Sequence, residues 1–127
     1  MKLWIDDVRP APEGDEWVEI NSVNEAIEEI LFWEGMCSTD KSWIEFKANI
    51  NGNTAPWEER LKRHTIELID IDHDAGDFAT DGGDYIKLLD WLEETGRNYP
   101  IRIHSMNPVG RENMRAIIRR NGWTEVF

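Results

Sequence analysis

The chain has 127 residues, 26 acidic against 14 basic side chains, and a formal net charge of −12. That length suits one domain with a real core, the seven tryptophans speak against disorder, and so acidic a chain does not hold long duplex nucleic acid by backbone contacts. No apolar run is long enough to span a membrane, "MKLWIDDVRP" lacks a signal-peptide core, and the lone Cys37 forms no internal disulfide, so a cytoplasmic setting is expected.

The first strand is expected at "KLWI", Lys2 to Ile5, and it ends at the acidic pair Asp6-Asp7. "VRPAPEGDE" follows, where two prolines and Gly14 oppose a helix. "WVEI", Trp17 to Ile20, reads as a second short strand. A parallel crossover usually takes a dozen or more residues, so either the link from Val8 to Glu16 is nearly extended or the second strand is shorter or displaced. Ser22 and Glu25 have capping-box spacing, and Val23, Ala26, Ile27, Ile30 and Leu31 recur at helical spacing up to a stop at Gly35. Residues 36–64 read as an inserted helical pair, with Trp43, Phe46 and Ile50 on one face and Thr54 and Pro56 opening the second helix.

"TIELIDID" is apolar enough for a central strand, and "AGDFATDGG" reads as a loop. Asp84 to Thr95 forms an amphipathic helix, with Tyr85, Leu88, Leu89 and Leu92 inward. "YPIRIHS" is a strand, "MNPVG" a turn, Arg111 to Arg120 a helix and "WTEVF" a last strand. Residues 97–127 carry six Arg and two Glu, a net +4, whereas residues 1–96 carry eight basic and 24 acidic residues, a net −16. A local anion site in the last quarter is therefore compatible with an acidic whole.

Strands alternating with helices imply one α/β domain with a parallel sheet. Ligands of such sheets bind at the carboxyl ends of the strands. Three polar groups fall at those ends: Asp6-Asp7, Asp72-His73-Asp74, and His104-Ser105 with Asn107.

"LWIDDVRPAP", "DHDAGD" and "IHSMNPVGRENM" together resemble the cyclic-phosphate processing receiver family, a divergent branch of the response-regulator receiver fold. The resemblance covers the chain apart from the insert at about 36–64. It implies a flavodoxin-like, open, mostly parallel five-stranded sheet in the order 2-1-3-4-5, with a degenerate first helix and the helical insert before strand 3. It also implies Asp6 and Asp7 as the metal-binding pair, Asp72 at the phospho-acceptor position and Ser105 at the hydroxyl position. A receiver's lysine after strand five has no counterpart, whereas His73, His104 and Arg111 are additions. Both departures favour catalysis on a bound phosphate over phospho-relay.

Asp6, Asp7, Asp72 and Asp74 offer hard oxygen ligands for Mg²⁺ or Mn²⁺, or else they are turn aspartates accepting backbone hydrogen bonds. Asp70, two residues back in its strand, reads as a buried carboxylate rather than a ligand. His104 and His73 suit proton transfer, or else they are packed histidines. Arg111, otherwise poorly placed at the positive start of a helix, suits a phosphate clamp, with Ser105 and Asn107 assisting, and Arg9 reads as a further phosphate contact or else as the partner of a carboxylate. Trp4, Trp33 and Trp91 read as core.

Three readings stay open. One is a metal-assisted phosphoesterase acting on a small cyclic nucleotide or an RNA end carrying a 2',3'-cyclic phosphate. The others are a non-catalytic receiver-like signalling module and a nucleotide binder without turnover.

Overall fold

The computed structural model of the protein describes residues 1–14, 17–36 and 65–127. Apolar runs become the strands β1 (Lys2–Ile5), β2 (Trp17–Ile20), β3 (Leu68–Ile71) and β4 (Ile101–Ile103). β1 lies between β2 and β3, β4 is the far neighbour of β3, and every pairing is parallel, so the order is β2-β1-β3-β4. β3 is buried along its whole length, as expected for a central strand.

Between β1 and β2 the described residues 6–14 contain no helix. An extended chain covers about 3.3–3.6 Å per residue, enough for so short a link to run back past a four-residue strand. The link is tied down by Trp4 Nε1–H donating to the Arg9 carbonyl (2.8 Å) and Ala11 N–H donating to Glu19 (2.9 Å).

The fifth strand expected at "WTEVF" is reduced to one parallel bridge, Ile101 with Glu125. Ile101 N–H donates to the Thr124 carbonyl and Val126 N–H to the Ile101 carbonyl. β4, only three residues long, offers little edge to extend the pairing.

Helix α1 (Val23–Met36) starts after Ser22, whose hydroxyl accepts from Glu25 N–H (3.1 Å) and donates to Asp81 (2.6 Å). α1 runs one residue past Gly35. The inserted pair expected over 36–64 lies, beyond Met36, outside the described residues. Part of the loop after β3 winds into a 3₁₀ turn, Gly76–Thr80.

Helix α2 (Ile86–Glu94) buries Leu88, Leu89 and Leu92 and contacts both α1 and α3 (Pro108–Asn121). α3 begins three residues before the expected Arg111. Asn107 Oδ1 accepts from Gly110 N–H (3.0 Å) and Pro108 fills the first turn, so the supposed turn is a capped helix start. Gly122, at φ 66°, ends the helix in the left-handed region.

Side chains alternate across the strands, so one face carries Leu3, Ile5, Ile69, Ile71, Ile101 and Ile103, all buried. The other face carries the groups described next. Among the described residues no helix is long and apolar enough to cross a membrane.

Candidate functional site

The strand register turns three dipeptide-spaced pairs into two rows. Trp4 stands opposite Asp70, and Asp70 opposite Arg102. Two residues further along each strand, on the same face, come Asp6, Asp72 and His104. The first row lies within the sheet. The second sits just past the strand ends, and one ligand atom from each of its members lies within 4.8 Å of the others.

His104 leans back over β3 and links the rows. Its Nδ1 is 2.6 Å from Asp70 Oδ1 and its Nε2 is 2.9 Å from Asp6 Oδ2. The imidazole lies flat on the Trp4 indole, with centroids 4.0 Å apart and planes within 1°. Asp70 is sealed from solvent and receives Arg102 Nε–H (2.7 Å) on its other oxygen. The expectation of a buried, hydrogen-bonded Asp70 holds, and its partner is the histidine of the site.

Both carboxylates face nitrogens of one ring, so the arrangement suits an imidazolium donating in both directions. Burial works against that charge, but the bonds to Asp70 and Asp6 outweigh it and hold His104 above its ordinary value of 6.5. Burial also pushes Asp6 up. The N–H groups of Arg9 and Val8, each 2.9 Å from Oδ1, together with His104, bring it below its ordinary value.

Asp7 behaves oppositely. Burial raises it, and the neighbouring charges of Asp6 and Asp72 raise it further. Its carboxylate lies where a side chain on Gly76 would go, and the positive φ of Gly76, +55°, separately favours glycine there. Asp72 is anchored by its N–H to the Ile5 carbonyl (2.9 Å), and its Oδ1 accepts from His73 N–H (2.8 Å). Three carboxylates thus converge where strands β1 and β3 end.

His73 projects differently from Asp72, which is possible because β3 has ended at Ile71. Its Nδ1 is 2.8 Å from Asp74, whose carboxylate is 62% exposed. Its ring packs against Gly110 on the first turn of α3, where any Cβ would overlap ring atoms. Asp74 is therefore engaged with His73 and stands apart from the cluster of Asp6, Asp72 and His104.

Ser105 is buried, and its Oγ accepts from Asn107 N–H (3.1 Å). Asn107 holds the helix start with both its side chain and its carbonyl, the latter accepting from Arg111 N–H (2.9 Å). Of the N–H groups free at a helix start, that of Gly110 goes to Asn107 Oδ1 and that of Asn107 to Ser105 Oγ, and Pro108 has none. The terminus offers an anion less than its sequence promised. Arg111 is half-buried, and its Nε, sealed from solvent, has no hydrogen-bond partner among the described residues. The side chain of Arg9 is exposed, and it is its backbone that meets Asp6 and Trp4.

The family model of the cyclic-phosphate processing receiver domain matches residues 51–120, more than half of the chain. The chain belongs to that family. The match takes in Asp72-His73-Asp74 and the whole run from His104 to Arg111, while Asp6-Asp7 precede it. No curated protein and no solved structure matches the chain.

In this member of the cyclic-phosphate processing receiver family, sequence reasoning missed Trp4, Asp70 and Arg102 as parts of the site. The signal was the repeated two-residue spacing, Trp4 to Asp6, Asp70 to Asp72 and Arg102 to His104, at three strand ends.

Proposed function

We propose that the protein is a metal-assisted phosphoesterase that opens a cyclic phosphate ester, as in a small cyclic nucleotide or an RNA 2',3'-cyclic phosphate end. One observation carries this reading. In a chain of a family named for cyclic-phosphate processing, Asp6, Asp72 and His104 converge at the carboxyl ends of parallel strands.

A divalent cation, Mg²⁺ or Mn²⁺, fits the donor set. Asp6, Asp7 and Asp72 are hard oxygen donors, and Asp7 is raised first by burial and then by the charges of Asp6 and Asp72, a repulsion that a cation relieves. When bound, the ion supplies positive charge to the phosphoryl oxygens. His104 suits an acid better than a ligand, because metal binding needs a deprotonated nitrogen and the bonds to Asp70 and Asp6 favour the protonated ring.

The chain's own residues then divide the work. Arg111, whose Nε has no partner among the described residues, binds the phosphate, assisted by the Ser105 hydroxyl. A water attacks phosphorus and passes its proton to His73, whose Nδ1 is committed to Asp74 and whose Nε2 is the acceptor. The ester P–O bond breaks, and His104 Nε2 gives its proton to the departing oxygen. The product is a phosphomonoester beside a free hydroxyl. The exposed Val8, Met106 and Val109 flank these loops and suit the organic part of an ester better than an inorganic ring.

The test is incubation with a panel of cyclic nucleotides with and without Mg²⁺ or Mn²⁺, read by ³¹P NMR. Cation-dependent appearance of a phosphomonoester is the expected result. Unchanged spectra across the panel would sink the hydrolysis reading.

A nucleotide binder without turnover is the competing reading. The double commitment of His104 to two carboxylates favours it. Ligand-induced shifts without any new phosphorus species would support it.

A further inference from the structure

We infer that Asp70 is a positioning residue for His104: it dictates which ring nitrogen keeps its proton and which one exchanges with the crevice. The inference rests, for its catalytic consequence only, on the hydrolysis reading above.

The geometry allows one assignment. Asp70 is fully buried, lies in the central strand and belongs to no cluster of candidate metal ligands among the described residues. An ionised carboxylate there accepts hydrogen bonds and cannot donate them. Its Oδ2 is taken by Arg102, through Nε–H at 2.7 Å and an NH2 nitrogen at 2.5 Å. Its Oδ1 lies 2.6 Å from His104 Nδ1, so Nδ1 must carry the proton. A ring turned over in the same plane would put carbons in place of Nδ1 and Nε2 and lose the contacts to both Asp70 and Asp6, so the Nδ1 edge stays on the Asp70 side. When the ring is singly protonated, the proton therefore stays on Nδ1. Nε2, on the Asp6 side, becomes the nitrogen that gives and takes protons. Without such a partner a histidine side chain in water favours the opposite tautomer, with the proton on Nε2.

Arg102 makes the inference sharp. It has only donors, so it demands an oxygen from residue 70. In Asp70→Asn the amide carbonyl must face Arg102 and the NH₂ must face His104. Nδ1 then has to accept, and the proton moves to Nε2. Relieving that demand with Arg102→Ala lets the amide turn round and offer its oxygen to Nδ1–H again.

Ring ¹⁵N chemical shifts of His104, recorded at alkaline pH where the ring is neutral, test this. The expected outcome is Nδ1–H in the unaltered protein, Nε2–H in Asp70→Asn, and a return towards Nδ1–H in the double variant Asp70→Asn/Arg102→Ala. An Nε2–H tautomer in the unaltered protein overturns the inference even if no variant folds. An unchanged tautomer in a folded Asp70→Asn overturns it as well. If cyclic phosphate is hydrolysed, Asp70→Asn slows kcat by about 10²- to 10⁴-fold with KM little changed, and the double variant recovers part of the loss. A carboxylate that served only to neutralise Arg102 would cost stability in Asp70→Asn without inverting the tautomer. Absence of hydrolysis by the unaltered protein would defeat the hydrolysis reading, and the tautomer measurement would still decide the role of Asp70.

Discussion

The imidazole of His104 lies flat against the indole of Trp4, with ring centroids 4.0 Å apart, and Trp4 is 8% exposed. Trp4 is thus core to the sheet and wall to the site at once. Its Nε1–H also holds the link that follows the acidic pair, through the Arg9 carbonyl. Trp4→Ala is expected to cost about 3–5 kcal/mol in urea unfolding, the usual range for a buried tryptophan. In the milder Trp4→Phe, the upfield ring-current shift of the His104 protons should shrink in ¹H NMR. Unshifted His104 protons in the unaltered protein would mean that the rings are not stacked in solution.

His104 and Asp6 set opposite limbs of a pH profile. His104 is raised by its two carboxylates, so its stabilising contribution is complete below 6.5 and is lost as pH rises through the higher folded value. Asp6 is lowered, so its contribution is present above 3.8 and is lost as pH falls through the lower folded value. Unfolding free energy should therefore fall on both sides of a plateau between those values. His104→Gln should flatten the alkaline limb. An alkaline limb equally steep in that variant would assign it to other groups.

Mg²⁺ or Mn²⁺ should raise the melting temperature, because a ligand specific for the folded state stabilises it by about 2.7 kcal/mol at a hundred times its Kd. Asp72→Asn should abolish the rise. Asp7→Asn should weaken it while stabilising the metal-free protein, since burial first and then the charges of Asp6 and Asp72 oppose ionisation of Asp7. Titration calorimetry without binding heat, with or without a phosphate ligand, would exclude the metal role.

Gly110 stands inside α3 although alanine is favoured over glycine in a helix by about 1 kcal/mol. The reason is His73, whose ring fills the place of a Cβ. Gly110→Ala should therefore destabilise the protein, whereas the same change in a His73→Ala background should stabilise it. A double-mutant cycle should give a coupling of about 1–3 kcal/mol. Zero coupling would show that the ring moves aside freely.

Arg111 carries a sealed donor without a partner among the described residues. Arg111→Ala should weaken binding of a non-hydrolysable cyclic phosphate by about 1.5–3 kcal/mol, the cost of losing a charge-assisted contact. Unaltered affinity would move phosphate binding elsewhere. Acetyl phosphate, in turn, should leave no lasting phosphoryl group on Asp72. A stable mass increase mapped to that residue would favour the signalling reading.

The apolar runs and their polar ends are legible in the chain itself, because a strand's alternation and a helix's period are local properties. Four strands, the absence of a helix over the described residues 6–14, and the placing of Asp6, Asp72 and His104 at strand ends all follow from that local pattern. The pattern does not say which residue stands opposite which, since register is a relation between distant segments. Only the tertiary structure put Trp4 beside Asp70 and Asp70 beside Arg102, and so turned a core tryptophan and a buried carboxylate into the setting of His104. The start of α3 is ambiguous in the sequence because Asn-Pro reads equally as a turn and as a helix cap, and the bond to Gly110 decides between them. The last strand shrinks to one bridge because its partner is three residues long, a length that "YPIRIHS" does not reveal. Gly110 reads as a turn glycine, but its reason is a histidine 37 positions earlier that needs the space of its missing side chain.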